Sequence, residues 1–550
     1  MWCPTIRSVV PLNAGVWTNA EGTKELAATA NQRQRHFAQH IEFSSDDVKL
    51  LLRATSVLSV LGLPALQSLD RAGLAQLTAL KQHWRLVGAG DASASANVGA
   101  IERVSLFERF YRTVDRRLFG RGVWVLAGPG ADGLQNDGSA GPAPWCLAWR
   151  RNVPRQGHTD CLCVEYEGLP MEALEQAVRQ RIGHPGGMVC ARVWRLQAAQ
   201  PPRLLITAWL RLDHRSLHRS VVLCAVKLPM LLNAAWTRRD RPMDAAPLLD
   251  AHAPAALSAG RQLWRLARTS LTWLLWREQW QIEVGRFDGD MPRPGETTAV
   301  MRPPSSAFWA DPFLLRRGPR MWVLFEELPF RTQRGHISAV EIDGAGRMLS
   351  APQVVLKEPW HLSYPFLWHE EGRAFMIPEG GRSRELSIYE AIGDGLQWER
   401  RATLISGCRL ADATVARHEG RLWMFATSAD DGVATMDDSL HIYFADRIEG
   451  PWVPHALNPV KIDARSSRPA GSMWVADGVL HRVVQDCSST YGGRIQCMRV
   501  TRLTEDEFDE ECVPGWAPTL EHKNPWHTFN SMNNLTVTDR LVRLPRWRSR

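Results

Sequence analysis

The sequence predicts a mainly β fold: a five-bladed β-propeller over residues 280–545, preceded by a smaller, degenerate α/β region with N-terminal helices. Three observations predict it. From Trp280 onward, short β-rich runs alternate with turn residues, the pattern of an all-β domain made of hairpins. Four short segments recur as internal repeats, Ala310-Asp311-Pro312-Phe313, Ser363-Tyr364-Pro365-Phe366, Ala411-Asp412-Ala413-Thr414 and Arg468-Pro469-Ala470-Gly471, with steps of 53, 48 and 57 residues between Asp311, Tyr364, Asp412 and Pro469. Each is followed by a charged or glycine turn and an aromatic-rich second strand: RRGPR then MWVLFEE, HEEGR then AFMIPEG, RHEGR then LWMFATS, VADG then VLHRVVQD. A repeat of about 50 residues with three or four strands is the size of one blade, and radial stacking buries faces that a lone blade would expose.

The elements follow in order. Residues 1–100 read as a helical, partly disordered lead, with an amphipathic stretch from Asp46 to Trp84 and a small-residue linker at 89–100. Residues 101–275 read as mixed α/β: strands at Val123–Ala127, Cys161–Tyr166, Met188–Trp194 and Leu204–Leu210, and a helix at Met171–Ile182. Gly128, Gly130 and Gly133 spell GxGxxG after a strand, but the residues that follow cannot open the required helix, so no dinucleotide site is expected. Third strands of the blades are expected at His336–Glu341, Leu386–Glu390, Leu440–Ala445 and Ile495–Thr501. A fifth blade runs from His527-Thr-Phe-Asn530 through Leu535 to Val542. An early strand near Gln281–Arg286 closes it and removes the exposed edges.

At 550 residues the chain exceeds what one core serves, and 45% hydrophobic with 23% charged residues excludes global disorder. The net charge of +8 comes from Lys and Arg scattered among Asp and Glu, with no stripe, which argues against nucleic acid. The one dense basic cluster is the tail Arg540, Arg543, Arg546, Arg548 and Arg550, a solvated terminus first and an anionic-surface contact second. No apolar core long enough for a signal peptide opens the chain, and no segment reads as a membrane span. The ten cysteines are irregularly spaced, with Cys161 and Cys163 neighbours on one face of a strand. Together these give a cytoplasmic protein with reduced thiols as the expectation, in which the Asn534-Leu-Thr sequon has no role.

WADPF (309–313), SYPF (363–366), MIPEG (376–380), LADAT (410–414), EGPW with NPV (449–452, 458–460), SRPAG (467–471), VVQD with YGG (483–486, 491–493) and HTFN (527–530) together resemble the N-terminal domain of the plant glucosamine inositolphosphorylceramide transferases. That domain also occurs in bacterial proteins, often behind a formyltransferase-like region, and is similar to the five-bladed propellers of furanosidase-type glycoside hydrolases. The likeness covers roughly residues 280–545. In the plant proteins a separate glycosyltransferase domain follows the propeller; here the chain ends soon after the fifth blade. Gly122–Arg239 bears a faint likeness to the formyltransferase-like neighbour, without its catalytic Asn and His pattern.

In a propeller the innermost strands face one axis, so residues far apart in sequence converge on a funnel. Asp311, Tyr364, Asp412 and Arg468 open successive first strands, and Glu379 ends a second strand at the same rim. Trp309, His361, Gln485, Asp486, Tyr491 and His527 add stacking surfaces and hydrogen-bonding groups for a carbohydrate or glycolipid ligand. Glycoside cleavage needs one carboxylate as base or nucleophile and one carboxylic acid. The resemblance implies Asp311 as base, Glu379 or Asp412 as the acid or the group tuning it, and Arg468 as the charge holding the others ionised. Two features depart from the hydrolase pattern: Tyr364 opens the second blade, and the glutamate's place in its blade is unusual. The competing readings are turn chemistry for Asp311, a buried ion pair for Glu379 and Arg468, and backbone satisfaction for Gln485 and Asp486. No cofactor is required, although three carboxylates in a funnel could also hold Ca²⁺. The alternative to an enzyme is a binding module supporting a separate glycosyltransferase.

Overall fold

The computed structural model describes Trp145–Ala148 and residues 160–546, apart from 183, 185, 198–199, 226, 242–258, 290, 382, 394–395, 429–435 and 518–525. The expected N-terminal helices, the strand at Val123–Ala127 and the GxGxxG run lie outside the described residues.

The C-terminal half is a five-bladed propeller of antiparallel sheets. Blade I comprises Ala307–Arg317, Arg320–Pro329, His336–Ile342 and Gln353–Leu356. Blade II comprises Ser363–Glu370, Arg373–Glu379, Glu385–Ile392 and Gln397–Ser406. Blade III has Leu410–His418, Arg421–Ser428 and Ser439–Ala445, the last paired with two short strands, Val453–Pro454 and Lys461–Ile462. Blade IV has Trp474–Ala476, Val479–Asp486, Arg494–Leu503 and Phe508–Cys512. All four expected third strands are present.

Blade V joins the two ends of the repeat region. Phe529–Met532 and Leu535–Pro545 pair with the earlier strands Trp276–Arg286 and Glu296–Met301. The closing strand is longer than the expected Gln281–Arg286: Trp276–Arg286 pairs along its whole length with Leu535–Pro545. Closure is also visible in the core. Five apolar clusters fill the five interfaces between consecutive blades, including Ile282 and Val537 of blade V against Phe325 and Val340 of blade I. Each blade thus buries both faces against its neighbours.

Before the propeller, strands Trp145–Ala148, Asp160–Tyr166, Leu169–Pro170, Met188–Gln197 and Arg203–Arg211 form one sheet, packed by helices α1 (Leu174–Arg181), α2 (Leu217–Ala225) and α3 (Leu228–Thr237). The strands and helix expected between 160 and 211 are all present. Leu217–Thr237 has the length and mean hydropathy (1.5) of a membrane span, yet 62% of it is buried inside the protein. Cys161 corrects the expectation of reduced thiols: it is disulfide-bonded, whereas Cys163, two residues along the same strand, is in no disulfide. Irregular sequence spacing says nothing about which strands lie side by side, which is what decides disulfide geometry.

This layer is fastened to blades III and IV. The Trp209 carbonyl accepts from the Ala464 N–H at 3.0 Å, and Arg238 donates to the carbonyls of Leu457, Pro459 and Val460 at 3.0, 2.8 and 3.1 Å. Lys227 forms a fully buried ion pair with Asp438.

At the crossing from blade IV to blade V, Phe529 N–H donates to Ala470 O at 2.7 Å, and Gly471 has φ +137 with its missing Cβ 1.8 Å from Phe529 O. Gly471→Ala is expected to cost at least ~2 kcal/mol, because strain and a backbone clash combine, while Gly478→Ala, at φ +77 with open space around it, costs ~1 kcal/mol. Urea midpoints of the two variants against the parent check both values.

Candidate functional site

The repeated segments become one backbone device. In blades I, II and III the first strand changes register at Ala310/Phe313, Ser363/Phe366 and Ala411/Thr414, and the residue entering each bulge has left-handed backbone: Asp311 (φ 52), Tyr364 (φ 44) and Asp412 (φ 52). Non-glycine residues there are strained by ~1–2 kcal/mol each. A bulge re-aims a side chain out of the pleat, and here it turns all three toward neighbouring blades. This is not the turn chemistry weighed for Asp-Pro, since the bulges lie within strands. Blade IV does the same job without a bulge: Gln485 N–H donates to Arg468 O at 2.9 Å and Ala470 N–H to Val483 O at 2.9 Å, setting Arg468 on the inner edge.

Two groups of charges result. In the first, Asp311 accepts from Thr528 Oγ1 at 2.7 Å and from Tyr364 N–H at 3.3 Å, with His527 Nε2 at 3.3 Å. The other ring nitrogen of His527, Nδ1, is 2.5 Å from Asp539, whose carboxylate also accepts from the backbone N–H groups of Asp311, His527 and Thr528 at 2.9, 3.0 and 2.9 Å. Burial pushes the Asp311 carboxyl up to about 7 against the opposing pull of His527. Burial works against charge on His527, but Asp539 and Asp311 outweigh it and raise the imidazole to about 9. Asp311, His527 and Asp539 are also the one cluster among the described residues that brings three potential ligand atoms within 4.8 Å of one another, a geometry compatible with a cation.

In the second group, Arg468 Nε donates to Asp412 at 2.6 Å, its Nη1 to Met436 O at 3.1 Å and its Nη2 to the Tyr491 hydroxyl at 3.2 Å, with Glu379 at 3.7 Å and Asp437 at 3.6 Å. The guanidinium sits 4.9 Å from the centre of the Tyr491 ring. Gln485 donates to Asp412 at 3.1 Å. The Glu379 and Asp412 carboxyls are close enough for each to act on the other's proton affinity. Burial and the adjacent Asp412 raise Glu379 to about 7, and burial raises Asp412 to about 6 against the pull of Arg468. Two neighbouring buried carboxyls cannot both ionise cheaply, so the pair shares a proton.

Most expected residues therefore converge. Glu379 is 13% and His361 32% exposed at the side chain, which makes them the open rim. His361 Nε2 lies 3.2 Å from Glu326 and its Nδ1 accepts from Gly335 N–H at 3.0 Å; burial opposes its charge, and Glu326 raises its pKa nonetheless. Tyr364 is fully buried, its hydroxyl 2.8 Å from Thr414, so it braces blades II and III and presents no surface to a ligand. Trp309 is packed against Phe325 in the core between blades V and I, and so is no sugar platform. Asp486 turns away, accepting from Ser488 N–H, Arg494 and Gln496 at 2.9, 2.8 and 3.0 Å.

Several residues escaped the sequence reading. Glu326 stands opposite Ala310 as Glu379 stands opposite Ser363, so aligning second strands as well as first would have found it. Asp539 and Thr528 come from the closing blade, and Asp437 from a segment outside the repeat. Asp437 is ion-paired with Arg211 of the α/β layer; burial opposes its charge, yet Arg211 and Arg468 hold it below the usual carboxylate range.

Residues 296–539 match the family model described as "Glucosamine inositolphosphorylceramide transferase 1, N-terminal", the region of the blades. Over 271 residues the chain is 31% identical to Glucosamine inositolphosphorylceramide transferase 1 of Arabidopsis thaliana, covering 44% of this chain and 35% of that protein. To the protein of the same name in Oryza sativa subsp. japonica it is 32% identical over 225 residues, covering 40% and 30%. The chain thus spans about a third of the length of these relatives. Among solved structures it is similar to Zg3597, a family 117 glycoside hydrolase of Zobellia galactanivorans (11% identity, 48% of this chain and 90% of that one, TM-score 0.33). It is also similar to the GH43_1 enzyme from Xanthomonas citri complexed with xylotriose (10% identity, 42% and 90%, TM-score 0.32).

Removing the cation tests the electrostatic reading. Carboxyls whose folded pKa is raised stabilise the fold least once pH has risen through that value. Arg468→Met leaves Asp412 and Glu379 unopposed, so their folded pKa values climb further. The variant is expected to lose ~3 kcal/mol at pH 8 and distinctly less at pH 5, read by urea denaturation at both.

Proposed function

We propose that the funnel binds a sugar and acts on its glycosidic bond by transfer or hydrolysis, with Glu379 as proton donor and Asp311 as base. The observation that carries this reading is the Glu379 carboxyl: it stands at the open rim and keeps its proton to about pH 7, because it is buried against Asp412. An acid that must protonate a leaving oxygen works best with a pKa near the working pH. Asp412 tunes that acid, and Arg468, clamped by Met436 O and Tyr491, holds negative charge on Asp412, which helps Glu379 to keep its proton. Asp311 is the second carboxyl that glycoside chemistry needs, held in place by Thr528 and His527. The Tyr491 hydroxyl, which accepts from Arg468, has its own proton to donate to a sugar hydroxyl. The name of the plant relatives joins glucosamine to inositolphosphorylceramide, which supports a hexosamine-bearing glycolipid as the ligand class and a separate glycosyltransferase as a partner.

A second reading, a module that binds a glycan without turnover in support of such a transferase, is favoured by the engagement of Asp311 and Asp412 with protein donors on several sides. A screen of the full chain with furanosides, glucosamine-containing glycosides and nucleotide sugars separates the two. Glu379→Gln is expected to lower turnover at least ~100-fold with substrate affinity nearly unchanged, and Asp311→Asn to bind without turnover. The wild-type rate is expected to decline as pH rises past about 7, where Glu379 loses its proton. If parent and variants bind alike and none reacts, the binding module stands.

A further inference from the structure

The helix α4 (Ala259–Leu275) runs directly into the closing strand of the propeller and carries an apolar face with nothing against it among the described residues. Trp264 is 62% exposed, Leu271 56% and Leu274 62%. With Ala267, also exposed, they stand three, seven and ten positions apart from Trp264, which at 3.6 residues per turn is a single stripe. Leu275 extends it at 38% exposed, and Leu544, exposed as well, is paired with Arg277 just beyond the helix. Soluble folds rarely leave so many large apolar side chains contiguous without an occupant.

The charge around the stripe says which occupant. From residue 251 to 277 the sequence has Arg261, Arg265, Arg268 and Arg277 and no Asp or Glu. Arg268 is exposed and lies 5.5 Å from the Trp264 ring centre, placing a cation at the edge of the apolar face. At the helix C-terminus, Arg546 Nε donates to Trp276 O at 3.3 Å, which adds an arginine of the basic tail next to Arg277. A protein partner with an apolar groove would not require a helix whose only charged residues are arginines; a sheet of anionic headgroups over acyl chains matches both its apolar stripe and its charge.

We propose that α4 lies flat on an anionic lipid surface, its Trp264–Leu274 stripe in the acyl boundary and its arginines among the headgroups, anchoring the propeller beside a membrane. The helix is an interfacial element, not a span, and this surface is independent of what the funnel binds.

Sedimentation of the full chain with vesicles tests it. The protein is expected to pellet with phosphatidylglycerol/phosphatidylcholine vesicles in 0.1 M salt, to do so weakly in 0.5 M salt, and to remain in solution with phosphatidylcholine alone. The double variant Trp264→Glu/Leu274→Glu is expected to need at least about tenfold more lipid for half-binding, and Arg268→Glu several-fold more. Failure of the parent to pellet with anionic vesicles overturns the proposal, as does equal binding by the double variant. Hydrogen exchange on the parent covers the case of a variant that does not fold. Amides of 259–276 should gain protection only with anionic vesicles, whereas full protection without lipid means another part of the chain or a second copy covers the face, and the proposal fails.

Discussion

The structure depends on one pairing, between Trp276–Arg286 and Leu535–Pro545, strands about 260 residues apart. Loop-closure entropy makes such a contact costly to form, and it is repaid only when the ring is complete and every blade has two neighbours. The apolar cluster between blades V and I exists only because of that pairing, and so does the bond from Asp311 N–H to Asp539 across the same seam. The funnel is therefore a property of the closed ring.

Inside the ring the chemistry is set by scarcity of water. Four carboxylates, Asp311, Glu379, Asp412 and Asp539, are gathered around two cations, Arg468 and His527, where desolvation penalises every charge. The outcome is division: Arg468 acts as a fixed charge, while Asp311 and Glu379 are left with affinities for protons close to neutrality. The acid–base chemistry proposed for the funnel rests on that poise.

The α/β layer enters the same network from outside. Arg211 and Lys227 neutralise Asp437 and Asp438, and the segment carrying those aspartates also offers Met436 O to Arg468. The layer thereby steadies the guanidinium on which Asp412 and Glu379 depend. Because α4 runs directly into the closing strand, the proposed lipid-facing surface and the ring closure share one continuous stretch of backbone.

The blade period, the strand grammar and the apolar alternation determined the fold by themselves, because each blade repeats the same local demands of turn and packing. They placed the third strands and the closing strand, and they put Asp311, Glu379, Asp412 and Arg468 at one end of the ring. Local pattern could not separate Trp309, which the core absorbs, from Tyr491, which touches the funnel: both are aromatic residues beside a turn. Nor could it find Asp539, Asp437 or Arg211, whose roles arise from strands and layers meeting far across the sequence. How far each carboxyl is pushed from its usual range was likewise decided only by the tertiary structure, since burial and the distance to a guanidinium are absent from a list of residues.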